Sequence, residues 1–224
     1  MMGIAPQHRT FTIPPHLNMK RNLILLTFTF LSCFIPASRA NLIYSGTDII
    51  IPLDLAGVYL NLSTGATALS QPADWNTAPW INPFFGGVYV ASSPLLLPVI
   101  TGTDRILNLA AGTVIGAAGT FAPGESGSST HVGPAADQFQ IGVPGIMGFK
   151  FLMTPGGAVH YGWLGMVVNN TGAGTITEWA YESTPDTAVL AGSTTPVPEP
   201  AAVAVGLLCL AVGLARRRQG ERAG

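Results

Sequence analysis

Residues Ile146–Met153 read IMGFKFLM, Ala158–Asn169 read AVHYGWLGMVVN, and Thr175–Glu182 read TITEWAYE. In the first stretch Met147, Phe149, Phe151 and Met153 fall on one face and Lys150 on the other, which is the two-residue period of a strand. Thr154-Pro155-Gly156-Gly157 separates it from the second stretch and Gly172-Ala173-Gly174 separates the second from the third. Both separators are turn sequences. Three strands joined by short turns predict an antiparallel meander.

Working outward, Gly57–Leu62 alternates with Val58, Leu60 and Leu62 on one face, Gly87–Val90 follows a Gly-Gly turn, and Thr113–Ile115 lies between glycines. No stretch of this region has a helical period. Six short apolar segments among turn signals predict an all-β domain, an antiparallel sandwich or jelly roll, over residues 41–191. Residues 66–83 and 119–137 are expected to be long loops.

The two flanks have a different character. Lys20-Arg21, the apolar run Leu23–Ile35 and the small residues Ser38 and Ala40 form a secretory signal over residues 1–40, expected to be cut between Ala40 and Asn41. Met19 stands where such a signal normally starts. At the other flank a Thr/Pro linker (192–200) leads into Ala201–Ala215, AAVAVGLLCLAVGLA, and then Arg216-Arg217-Arg218. An uncharged helix of that length spans roughly 22 Å, short of the roughly 30 Å of a bilayer core. Snorkelling arginines make up part of the difference. The expectation is a short transmembrane helix with its basic end (201–218) and a tail (219–224) on the cytoplasmic side, and everything before Pro198 outside. Gly206 and Gly213 are seven apart, which makes no close-packing helix dimer face.

Pro198-Glu199-Pro200, the apolar run and the arginine cluster together resemble a PEP-CTERM sorting signal. The resemblance covers about the last 25 residues. It implies that an exosortase, a membrane cysteine protease, recognises and removes the tail, in bacteria that make exopolysaccharide. A second resemblance runs through Asp74-Trp75-Asn76, Ile81–Gly87, Gly148–Phe151, His160–Trp163 and Ala180–Pro185. It is to a family of exported bacterial β proteins that often carry this tail, and it brings no catalytic residue with it.

Between Asn41 and Pro198 there are two basic residues, Arg105 and Lys150, against nine acidic ones. The net charge there is −7, whereas the whole chain carries −1. Nucleic-acid binding needs cations for phosphates and is excluded. Both cysteines, Cys33 and Cys209, lie in the targeting runs, so packing alone must hold the domain together.

The candidate chemistry is thin. Gly124-Glu125-Ser126-Gly127 near His131 and Asp137 suggests a serine hydrolase, but Ser128 stands where Gly-x-Ser-x-Gly needs glycine. His160 has only His131 as a histidine companion in the domain, too few for zinc. Asp74 and Asn76 lack the spacing of a calcium loop. Glu178 and Glu182 share a strand face and could serve glycoside hydrolysis, but are expected to form a solvated edge that blocks aggregation. No catalytic residue, metal or cofactor is assigned. Trp75 and Trp80, with Phe84, Phe85, Asn76 and Asn82, crowd one expected loop, where rings and amides suit sugar stacking or simple packing. The expected role is a non-enzymatic surface or matrix-associated protein, exported and briefly anchored. The alternative is a carbohydrate-binding module for exopolysaccharide, contacted through Trp75, Trp80 and Asn82, and a hydrolase is the least favoured reading.

Overall fold

A computed structural model describes residues 41–100, 105–122, 132–169 and 173–196. The expected signal, the Pro-Glu-Pro motif, the tail helix and the Ser126/His131 loop lie outside the described residues. The strands are β1 (Leu42–Ser45), β2 (Ile49–Ile51), β3 (Tyr59–Asn61), β4 (Thr67–Ala68), β5 (Trp80–Phe84), β6 (Tyr89–Ser92), β7 (Leu96–Pro98), β8 (Val114–Ile115), β9 (Pro144–Leu152), β10 (Val159–Val167), β11 (Gly174–Glu182) and β12 (Val189–Leu190). Among the described residues there is no α-helix, and the domain is all-β as expected.

The meander forms the large sheet, in the order β1-β11-β10-β9-β7, with β2 continuing along β11 beyond β1. Its ladders are antiparallel. A smaller antiparallel sheet, β4-β3-β5-β6, packs on its inner face. Met147, Phe149 and Phe151 of β9, Leu164 and Met166 of β10, and Trp179 and Tyr181 of β11 meet Val58, Leu60, Leu62, Ile81 and Val90 from the smaller sheet. This is the core of a β sandwich.

The outer face of the large sheet is covered too. Tyr161, Trp163 and Ala180 pack under Ile115, Val189 and Ala191 from the β8–β12 pair. Trp163 is fully buried, and its Nε1 donates to the Ser193 carbonyl at 3.2 Å. A strand buried on both faces reads as a nearly continuous apolar run, and β10 reads that way.

Three expectations change. Residues 66–83 are not one loop, because β4 and most of β5 lie within them. The Glu178/Glu182 face is not at an edge, because β11 runs between β10 and β1/β2, and Glu182 is buried. The linker does not start at Gly192, because Ser193 is still tied to the sheet through Trp163.

β5 became a strand despite Pro83, and the hydrogen bonds say how. Val58 N donates to Pro83 O at 3.1 Å, while the reciprocal bond to Val58 O is impossible because proline has no N–H. Asn82 Nδ2 makes it instead, donating to Val58 O at 3.1 Å and to Ala56 O at 2.9 Å. The amide side chain takes over the ladder donor that its neighbour lacks.

After β5 the chain turns through Phe85-Gly86-Gly87. Gly86 has φ 68°, and a Cβ there would sit 2.0 Å from Asn169 O. Its own N–H donates to Pro52 O and its carbonyl accepts from Asn169 N. Only glycine allows the two sheets to meet this closely.

Candidate functional site

With Leu60, Ile81 and Val90 facing the core, the pleat turns Tyr59, Phe84 and Tyr89 to the outer face of the smaller sheet. All three are half-buried. Trp75 of the 72–79 turn meets Tyr59 edge-on, with ring centroids 5.4 Å apart. Phe84 and Tyr89, paired across β5 and β6, stack at 5.4 Å, and Phe85 leans on both. Phe85 holds a left-handed backbone with φ 51°, a conformation that disfavours large side chains. The result is a partly exposed aromatic surface of five rings.

The residues named from sequence divide on this surface. Trp75 belongs to it. Trp80 is only 6% exposed and its Nε1 donates to Asp74 Oδ1 at 3.0 Å. Asn82 is 4% exposed, and both of its contacts are the backbone carbonyls described above. Trp80 and Asn82 therefore lie on a central strand rather than a loop, with polar atoms already engaged, and neither offers a face to a sugar in this conformation. Tyr59 and Tyr89 were missed. The signal for Tyr59 was present, since the alternation that buries Val58, Leu60 and Leu62 turns it outward.

The other candidates sit in structural roles. His160 Nδ1 lies 2.9 Å from Glu182 O. A carbonyl only accepts, so Nδ1 carries the proton. The ring packs against Phe151 and Tyr181. Glu182 Oε1 accepts from the backbone N–H of Asn41 and of Thr184. Glu178 Oε2 accepts from the Tyr44 hydroxyl at 3.0 Å. That bond, burial and the Glu178 charge raise the Tyr44 pKa. Asp137, a member of the suggested hydrolase trio, pairs with Arg105.

A shallow, mostly apolar groove is lined by Pro94, Leu95, Leu97 and Lys150. The Lys150 ammonium stands 4.8 Å over the Phe121 ring. Among the described residues no group of three or more His, Cys, Asp or Glu is placed to hold a metal ion. Nor is any helix among them long and apolar enough to cross a membrane. In comparisons with protein-family profiles, curated proteins and solved structures, nothing matches this chain.

Proposed function

We propose that this chain is an exported, non-enzymatic surface or matrix-associated protein, sorted by its tail. The observation that carries this reading is the order Pro198-Glu199-Pro200, an uncharged apolar run, then Arg216-Arg217-Arg218. That order resembles a PEP-CTERM signal and fits a short membrane helix held by a cytoplasmic basic stop. The partner is an exosortase-type membrane protease, and the signal at residues 1–40 supplies export. Replacing Pro198-Glu199-Pro200 by alanines tests this reading in the native host. The variant should accumulate as a larger, membrane-bound species. Identical size and distribution of variant and wild type would reject the sorting role.

A second reading, a carbohydrate-binding module for exopolysaccharide, is supported by the half-exposed rings of Tyr59, Trp75, Phe84, Phe85 and Tyr89, since sugars stack on such faces. Trp75→Ala and Tyr89→Ala should each abolish retardation of the protein in gels containing host polysaccharide. No retardation of the wild type would reject the reading.

A further inference from the structure

Glu182 is 1% exposed. Among the described residues no lysine or arginine pairs with its carboxylate: Arg105 pairs with Asp137, and Lys150 stands over Phe121. His160 reaches only the backbone carbonyl of the same residue. A carboxylate so buried and lacking a cation is costly. Its Oε1 accepts from Asn41 N at 2.7 Å and from Thr184 N at 2.8 Å. Asn41 is fixed from its other side, because its carbonyl accepts from Ser183 N at 3.0 Å and from Ser183 Oγ at 2.8 Å.

Asn41 N is the atom that cleavage after Ala40 changes. Water adds across the Ala40–Asn41 peptide bond, Ala40 leaves as a carboxylate, and Asn41 N becomes an amine that takes up a proton. A cation, which no described side chain supplies to Glu182, would then appear at the atom already 2.7 Å from the buried carboxylate. We propose that Glu182 is the receptor for the α-ammonium group of Asn41, so that the domain reaches full stability only after its signal is removed. This rests on the export reading. Before cleavage the site offers a single amide hydrogen, and afterwards a full charge with a charge-assisted bond.

The test uses the processed protein from the native host. Intact mass establishes the first residue, and an amine-selective acylating reagent then probes the α-amine at neutral pH. Pairing that raises the α-amino pKa by one unit slows acylation about tenfold. The wild type should therefore react about tenfold more slowly than Glu182→Gln. Acetylating the α-amine should lower the melting temperature of the wild type but not of Glu182→Gln. If Glu182→Gln fails to fold, a glycine inserted between Ala40 and Asn41 leaves Glu182 in place and moves the ammonium one residue away. That protein should also react quickly and melt lower. A chain that begins at Asn41 but reacts as fast as either variant overturns the docking while leaving export intact. A chain that begins downstream of Asn41 overturns the docking alone, and one that retains the signal overturns both.

Discussion

Asn82 and Gly86 each solve a backbone problem that no other residue type solves at its position. Asn82 supplies the donors that Pro83 removes from the β3–β5 ladder. In Asn82→Ala the carbonyls of Ala56 and Val58 lose that donor, which should lower stability by about 1–3 kcal/mol in chemical denaturation. An unchanged midpoint would mean that water replaces the amide at no cost. Gly86→Ala places a Cβ against Asn169 O at a positive φ, and should cost more than about 1 kcal/mol. Trp75→Ala removes a half-exposed ring from the aromatic surface and should affect ligand retention more than folding.

At the scale of elements, β10 holds the layers together, with Leu164 and Met166 on one face and Tyr161 and Trp163 on the other. Trp163→Phe keeps most of the apolar surface but removes the bond to Ser193 O. That bond is worth about 1 kcal/mol, so amide exchange at Ala191, which bonds Thr113 O, should rise about fivefold while exchange in β10 is unchanged. Equal acceleration in β10 would mean that the β8–β12 cover and the sandwich open together.

The meander was legible in the sequence because its strands are long, alternating and separated by Gly/Pro turns. β5 was not, because Asn82-Pro83 reads as a loop until the partner carbonyls of Ala56 and Val58 are seen. β4 and β12, of two residues each, exist only through their pairing. The facing of β11 was hidden by a bulge. The register with β10 passes from Gly165↔Glu178 to Met166↔Ile176, so Ile176 shares the inner face with Trp179 and Tyr181 although they are three and five residues away. Trp80 and Asn82 share the outer face with Phe84 but are buried on it, and a strand's period shows which residues share a face without showing which of them are covered.

The described domain is an acidic sandwich whose stability rests on buried apolar and aromatic groups, and this sets its response to pH. Burial raises the pKa of Tyr181. Burial, then the Asp186 charge, raise that of Tyr161 above the ordinary 10.0. The folded state therefore holds these protons to higher pH than the unfolded chain does. Their contribution is fully present below about pH 10 and is lost as the pH rises through the folded values. The melting temperature should stay level in this respect from neutrality to about pH 10 and fall above it. A fall that begins near pH 8 would point to other groups.

On the proposed reading this sandwich is cargo, delivered by one flank and released at the other. Intact mass of the protein from its native host, taken separately from membranes and from medium, tests it directly. The expected species begins at Asn41 and ends near Pro198. A membrane species that retains residues 1–40, or one that keeps Arg216-Arg217-Arg218 with no shorter form in either fraction, would contradict it.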